Sequence, residues 1–402
     1  MNLQEIIRQE KEYIMQTYNR LPVCLVKGKG FKVWDINGKE YIDMVAGLAV
    51  ANVGHSNYKV VCAIRNQAKK LIHVSNLYYT IPQIKLAKQL TEISFKGKCF
   101  FANSGAEANE AAIKLARKYS KVKFGQGRFN IITMEGSFHG RTLATVTATA
   151  SEKFHKDFDP LMPGFIYVPF NDIEAVKKAI NESVCAVMVE PIQGEGGINI
   201  PRDDYMAGLR KLCDENKLLL ILDEVQTGFG RTGKMFAYQH SNIEPDIMSL
   251  AKALGGGLAI GAVIAKDNVA EVFSHGTHAS TFGGNPVIAS AGLATIEVIR
   301  EEKLIANAVN MGEYLIKKLL ELKNKYDFIT DVRGKGLMIG MELNFPGQKI
   351  VEGCLKKGLL INCTVERVLR FLPPLSITKK YIDKAIKILE EVFNEKRPGL
   401  NK

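Results

Sequence analysis

The chain of 402 residues is long enough to bury a large core and to divide into more than one domain. With 46% hydrophobic and 24% charged residues, it has the composition of an ordinary globular protein and not of a disordered or fibrous one. The net charge of +12, from 54 Lys and Arg against 42 Asp and Glu, comes from scattered residues. It lacks the dense basic run with interleaved aromatics that a nucleic-acid surface needs.

Residues 1–20 read as an amphipathic helix that ends before Pro22. This segment is charged throughout and has no apolar centre of the kind a secretory signal carries. No uninterrupted apolar run along the chain approaches the roughly 20 residues of a membrane span. The seven cysteines lie far apart without a C-x-x-C pair, which fits a reducing compartment. A cytoplasmic protein with neither membrane nor nucleic-acid partners is therefore expected. Val23 to Ile42 reads as strands joined by a tight Asn37-Gly38 turn.

From about residue 60 to 295, helical patterns alternate with short apolar strands. The strands are expected at Cys99–Ala102, Asn130–Met134, Val184–Glu190, Leu218–Leu222, Ile247–Leu250 and Gly261–Ala265. Such alternation predicts an α/β domain with a mostly parallel sheet, whose ligand sits beyond the carboxyl ends of the strands. A long helix is predicted over Pro286–Ile299, followed by the Gly-rich apolar stretch Asp331–Leu343. In the last helix Ile382, Ile386, Leu389 and Phe393 share one face, with Thr378 as its N-cap. The expected division is a large domain over residues 51–299. A smaller α+β domain would combine residues 1–50 with 300–402.

Two adjacent strand ends carry the chemistry. LLLILDEVQTGFG sets Asp223 at the end of one apolar strand, and SLAKALGGG sets Lys252 at the end of the next. A reactive lysine beside a buried carboxylate is what a pyridoxal phosphate (PLP) site requires. The lysine attaches the cofactor, and the aspartate keeps its pyridine nitrogen protonated. A lone Lys after a strand is usually a solvated helix start. Here Gly255-Gly256-Gly257 follows, which permits close backbone approach by a ligand.

Other segments add to this. CFFANSGAEANEAAIKLARKY reads as strand, turn and Ala-rich helix, so the N–H groups of Ser104, Gly105 and Ala106 would face an anion. Ser104 equally fits a plain N-cap. In FHGRT, Phe138 could stack on a planar ring and Arg141 could grip a carboxylate, although a packed Phe and a surface Arg fit as well. VEPIQGEGG places Glu190 and Glu195 in a Gly-rich loop after a strand. Residues 228–234 mimic a nucleotide-binding loop, but Met235 stands where a magnesium-binding hydroxyl belongs. His275 and His278 have metal-ligand spacing without a third ligand nearby, so no metal is expected.

Taken together, these segments resemble the class III (ornithine/acetylornithine-type) PLP-dependent aminotransferases over nearly the whole chain. The carriers are NSGAEANEAAIKLAR, SFHGRTLATVTAT, VEPIQGEGG, LILDEVQTGFGRTG, LAKALGGG, HASTFGGNP, VRGKGLMIGMEL and LRFLPPL. The resemblance implies the PLP fold-type I (aspartate aminotransferase-like) architecture and a homodimer with active sites shared between subunits. It implies Lys252 as the Schiff-base lysine and proton-transfer base, Asp223 at the pyridine nitrogen and Gln226 at the ring oxygen. Phe138 and Val225 would flank the ring. Ser104, Gly105 and Ala106 would hold the phosphate together with Thr281 of the partner subunit. Arg141 and Arg370 would grip substrate carboxylates, Ser280 would touch substrate across the interface, and Glu195 would gate the arginines.

Within the class, NSGAEANEAAIKLARKY, SFHGRTLATVTATASEKFHKDF and LLINCT…LRFLPPL resemble the acetylornithine branch. MVAGLAVANVGH lacks the Tyr typical of ornithine δ-aminotransferases before the GH pair. The implied reaction moves the terminal amino group of N2-acetyl-L-ornithine to 2-oxoglutarate. It gives N-acetyl-L-glutamate 5-semialdehyde and L-glutamate, a step of arginine biosynthesis. Alternatives in the class act on ornithine, 4-aminobutyrate, succinylornithine or N-succinyl-diaminopimelate. A nucleotide-binding protein using residues 228–234, or a silent PLP-binding protein, lies further away. Three places depart from the family pattern: Ala51, Ala259 and Val365-Glu366-Arg367. The first and third are expected on the substrate side.

Overall fold

The apolar runs of the sequence become strands, and the computed structural model describes them within residues 1–396. The end of the expected smaller domain, 397–402, lies outside the described residues. Near the N-terminus are β1 (Leu25–Lys29), β2 (Lys32–Asp35) and β3 (Glu40–Asp43). The middle of the chain supplies β4 (Lys98–Ala102), β5 (Asn130–Met134), β6 (Phe165–Val168), β7 (Val184–Val189), β8 (Leu219–Asp223), β9 (Ile247–Leu250) and β10 (Gly261–Ala265). The C-terminal part adds β11 (Ile329–Lys335), β12 (Met338–Leu343), β13 (Leu359–Leu360), β14 (Asn362–Thr364) and β15 (Val368–Phe371).

Three sheets result. The central one has the order β4-β10-β9-β8-β7-β5-β6, with helices between its strands in sequence. Its strands pair in parallel except β10, which runs antiparallel to both β9 and β4. Because β4, β8 and β9 point the same way, the residues that follow each emerge at one edge of the sheet. That edge is where the helix dipoles and loop ends of a parallel sheet favour a ligand. Strand β7 is buried along its whole length, as expected for a strand covered on both faces.

The second sheet, β1-β2-β3-β13, takes three strands from the N-terminal segment and one from the C-terminal part. Its β2–β3 hairpin turns at Asn37-Gly38, where Gly38 has φ +80° and donates to the Asp35 carbonyl. The third sheet, β11-β12-β15-β14, is antiparallel. One continuous apolar core joins the central sheet to the C-terminal helices, with Leu222, Leu250, Ile296, Leu319 and Phe393 all fully buried or nearly so.

Several expected boundaries move. The first helix covers only Leu3–Tyr13, capped by the Asn2 side chain, and none of its residues is buried. Without an apolar face to pack, the helix has no reason to extend to residue 20. Strand β8 runs one residue later than expected and ends on Asp223 itself, while β7 stops before Glu190. The helix from Pro286 runs to Glu301, two residues further than expected. Strand β6 and the 22-residue helix Leu304–Lys325 were not anticipated. The last helix, Lys379–Lys396, follows Thr378, whose carbonyl accepts from Ile382. Ile382, Leu389 and Phe393 are buried on its inner face, with Ile386 partly so. Among the described residues, no helix is long and apolar enough to cross a membrane.

Candidate active site

At the carboxyl edge of the central sheet lies a cavity of about 470 Å³. The turn after β4 contributes Ser104, Gly105 and Ala106 to its wall. Ser104 caps the helix Gly105–Phe124, its side-chain oxygen accepting from Glu107 N–H at 3.1 Å. The N-cap reading of Ser104 and the anion-facing reading therefore coexist. The N–H groups of Gly105 and Ala106 have no partner among the described residues, and the helix start adds positive potential there.

Asp223 is the floor of the site and is 3% exposed. Its Oδ2 accepts from Asn109 Nδ2 at 2.7 Å and faces His139 Nδ1 at 2.8 Å, while Oδ1 accepts from Val225 N–H at 3.0 Å. Three polar contacts fix this carboxylate in the orientation a buried protonated ring nitrogen would meet. Neither Asn109 nor His139 was singled out from the sequence. Asn109 had a readable signal, since it is a polar residue on the Ala-rich inner face that also holds Ala108, Ala111 and Ala112.

Lys252 follows β9 with φ +42°, a strained conformation for a residue other than glycine. Burial disfavours its ammonium form, and the nearby Arg370 charge adds to that. Glu195, Asp223 and Glu190 oppose the shift, and the net direction is downward from the ordinary lysine value. A partly desolvated amine of this kind is a nucleophile and a base. Of the glycines behind it, Gly257 lines the cavity. Gly256, at φ +59°, is instead required by packing, because a Cβ there would come within 2.5 Å of Thr295 Oγ1. The run thus serves helix packing as much as ligand approach.

Phe138 and Val225 both line the cavity, and Phe138 N–H donates to Glu190 Oε2 at 3.0 Å. Burial raises the Glu190 carboxyl to about 7. Arg141 is exposed and lies 3.8 Å over the Phe154 ring, with no carboxylate partner among the described residues. Arg370, from β15, is 1% exposed and pairs through Nη1 with Glu195 Oε1 at 2.6 Å and with the Gly194 carbonyl at 3.2 Å. Burial alone would raise the Glu195 carboxyl, but the Arg370 charge and hydrogen bond outweigh it and hold the group below its usual value. Gln226 Nε2 reaches the same Glu195 oxygen at 3.4 Å, and Thr364 Oγ1 donates to the Glu195 carbonyl.

Not every expected residue joins this wall within one chain. Ser280 accepts from Asn103 Nδ2 at 3.2 Å, beside the cavity, and lines a separate hollow with Thr281. Of the three departures from the family pattern, only Ala259 lines the cavity. Ala51 is buried next to Val50, which does line it. Val365 and Glu366 form a tight hairpin tip at φ +42° and +66°, with the Val365 side chain packed over Gly197. The 228–234 segment offers no nucleotide cradle. Its Arg231 and Thr232 are buried, and Gly230 and Gly233 are packed against Leu375 and Val309. His278 Nδ1 lies 2.8 Å from Lys114 Nζ. Among the described residues, no cluster of three or more His, Cys, Asp or Glu is placed to hold a metal.

The residues present fit a planar cofactor that carries a phosphate at one end and a basic ring nitrogen at the other. Unpaired N–H groups would meet the anion, an oriented carboxylate would meet the nitrogen, and a desolvated amine lines the same cavity. Comparison with known proteins agrees. The family model "Aminotransferase class-III" matches residues 13–393. The chain is 56% identical over 395 residues to the acetylornithine aminotransferase of Methanocaldococcus jannaschii, covering 98% of this chain and 99% of that one. It is 53% identical to that of Caldanaerobacter subterraneus subsp. tengcongensis, covering 98% and 100%. Among solved structures, the ornithine aminotransferase of Toxoplasma gondii ME49 superposes with a TM-score of 0.95 at 33% identity, covering 98% of this chain and 96% of that one. The acetylornithine aminotransferase of Elizabethkingia anophelis gives 0.89 at 35% identity, covering 98% and 100%. With the site geometry and the full-length match in agreement, the chain belongs to the class III aminotransferases.

Proposed function

We propose that this chain is a PLP-dependent transaminase that moves the terminal amino group of N2-acetyl-L-ornithine to 2-oxoglutarate. The observation that carries the chemistry is the convergence of Lys252, Asp223 and Glu195 on one cavity, with Arg370 paired to Glu195. The substrate is supported by full-length relatives at 56% and 53% identity that are acetylornithine aminotransferases.

When bound, PLP supplies a conjugated electron sink for the substrate carbon that carries the amine. Gly105 and Ala106 N–H groups, with Ser104, bind the phosphate, and Thr281 of the partner subunit completes that shell. Asp223, oriented by Asn109 and His139, holds a proton on the ring nitrogen. Phe138 and Val225 fix the ring plane, and Gln226 meets its oxygen substituent. Lys252 Nζ, favoured in its neutral form by burial, takes the proton from the amine-bearing carbon and holds it as the ammonium. Arg141, free of a carboxylate partner, binds a substrate carboxylate, and Ser280 touches substrate across the interface. Arg370 binds a second carboxylate only when Glu195 lets go of it. That arrangement suits an enzyme whose two half-reactions present different numbers of carboxylates near Arg370.

We also read residues 51–299 as one domain and 1–50 with 300–402 as another. The pairing of β13 with β3, Leu359 opposite Ile42, supports that reading. A homodimer with shared sites is supported by the placement of Ser280 and Thr281 outside the cavity of their own chain.

The test is the absorbance of purified holoenzyme near about 330 and 420 nm, where PLP enzymes absorb. N2-acetylornithine, ornithine and 4-aminobutyrate are added separately. Acetylornithine alone is expected to bleach the long-wavelength band, and 2-oxoglutarate to restore it. Bleaching by another amine only would sink the substrate and keep the chemistry. A protein that shows no such band with added PLP, or a Lys252→Ala variant that still turns over, would sink the chemistry.

A further inference from the structure

The largest fully buried side chain outside the cavity is Arg231, with 0% exposure. It is a cation with no carboxylate partner among the described residues. Nη1 donates to the Leu337 carbonyl at 2.9 Å and to the Pro373 carbonyl at 2.6 Å, and Nη2 donates to Asn52 Oδ1. Nε has no partner among the described residues. Burial pushes the guanidinium down to about 9, against a smaller pull from Asp43, so it remains charged at neutral pH. A desolvated charge with only neutral acceptors is costly to keep, so its position calls for an account beyond packing.

Two of the three ties end on segments next to Arg370, and the third ends next to Val50 of the cavity wall. Arg231 itself belongs to the loop that begins at Asp223, Val225 and Gln226. Pro373 lies three residues past Arg370 on the same extension of β15. Leu337 sits in the turn that leads into β12, the strand on which Gly340 pairs with Arg370. Leu337 N–H also donates back to the Arg231 carbonyl at 2.9 Å. Asn52 lies two residues past Val50, which lines the cavity. The Asn52 amide in turn donates to the Phe229 carbonyl at 3.0 Å, and its own carbonyl accepts from Leu375 N–H at 2.8 Å. One guanidinium therefore closes a ring of hydrogen bonds around the segments that carry the cofactor floor, the Val50 wall and Arg370.

We infer that Arg231 is a positioning residue that sets the distance between Arg370 and the Asp223–Lys252 floor, and so governs recognition of the 2-oxoglutarate carboxylate. This rests on the proposed reading of Arg370 as a carboxylate grip. Arg231 touches neither cofactor nor substrate. Its planar fork spans two carbonyls and an amide oxygen at once, which a lysine ammonium cannot do with the same geometry.

The test uses the holoenzymes of Arg231→Lys, Asn52→Ser and Arg370→Gln. Cofactor absorbance, melting temperature, kcat and KM for 2-oxoglutarate are measured on each. Arg231→Lys is expected to keep the cofactor band while KM for 2-oxoglutarate rises about tenfold, the scale of one lost charge-assisted hydrogen bond. The change in kcat should stay within about twofold, since a ground-state and transition-state contact is weakened alike. Asn52→Ser, which breaks one tie and keeps the guanidinium, should move KM in the same direction by less. It carries the test if Arg231→Lys gives no folded protein. A lowered melting temperature with unchanged KM in the variants that fold would overturn the inference. If Arg370→Gln itself leaves KM unchanged, the grip reading fails first and the inference falls with it.

Discussion

Glu195 and Arg370 form a close ion pair beside the cavity, and on the proposed reading the balance between them decides which substrate carboxylates the site accepts. Replacing Glu195 by Gln leaves the Arg370 charge uncompensated and open to any carboxylate. Glu195→Gln should raise the ratio of kcat/KM for glutamate to that for N2-acetylornithine by about tenfold, a shift comparable to one charge-assisted contact. Single-turnover absorbance with each amino donor reads it, and an unchanged ratio would remove Glu195 from the switching role. The same neighbourhood sets a pH dependence. Lys252 is shifted down, first by burial, so its neutral fraction grows at lower pH than that of an ordinary lysine. In cofactor-stripped protein, the rate of PLP capture should rise with pH to a plateau, with a midpoint below 10.5. Glu195→Gln removes a charge that favours the ammonium, so it should lower that midpoint further. A midpoint at or above 10.5 would contradict the burial of Lys252.

The elements place these residues through close backbone packing. Strand β10 runs antiparallel between β4 and β9, and Gly261 at its start lies against the Ser104 turn. A Cβ on Gly261 would stand 2.2 Å from the Ser104 carbonyl oxygen, which is backbone and cannot swing aside. Gly261→Ala should displace the helix start that faces the phosphate and cost about 1–3 kcal/mol of stability. PLP affinity should weaken by about tenfold or more if the phosphate contacts move with it. Chemical denaturation and PLP titration measure the two effects, and unaltered cofactor affinity would separate the turn from phosphate binding. Much at this scale was legible in the sequence. Apolar runs ending on Asp223 and on Ala251 before Lys252 announced strand ends, because a parallel strand buried on both faces cannot hide its pattern. The contacts behind those ends were not legible. The Asn109–Asp223–His139 network joins positions 30 to 114 residues apart, and only the folded sheet brings them together. Strand β6 escaped although Phe165–Val168 is an apolar, β-prone run, because four residues are too short a run to set a periodicity. Arg231 was hidden for the opposite reason. It sits within a Gly-rich string that mimics a phosphate loop, and its burial depends on residues more than 100 positions away.

At the scale of the whole molecule, the Ser280–Thr281 loop, proposed to complete the site of a partner subunit, lines a hollow apart from the cavity of its own chain. That loop instead faces outward beside an apolar surface. Leu77 is 82% exposed, Tyr79 97% and Phe282 59%, an arrangement a soluble monomer has little reason to keep. The surface is built and not frayed. His73 lies with its ring centroid 5.1 Å from that of Phe282, and Asn76 Nδ2 donates to the Ser280 carbonyl at 2.9 Å. Gln83 Nε2 donates in turn to Asn76 Oδ1 at 2.7 Å. Side chains are thus held in place while their apolar faces stay uncovered, which fits a patch awaiting a second copy. Phe282→Glu puts a charge at its centre, and burying an unpaired carboxylate there would cost several kcal/mol. Sedimentation should then show monomer where the unaltered chain gives dimer, and PLP affinity should fall with it because Thr281 no longer reaches the other site. Val122→Glu, at a 66%-exposed position of the helix Gly105–Phe124, should leave both properties unchanged. If Phe282→Glu stays dimeric, the interface lies elsewhere. If it becomes monomeric yet binds PLP as tightly, the phosphate site is complete within one chain and Thr281 has no part in it.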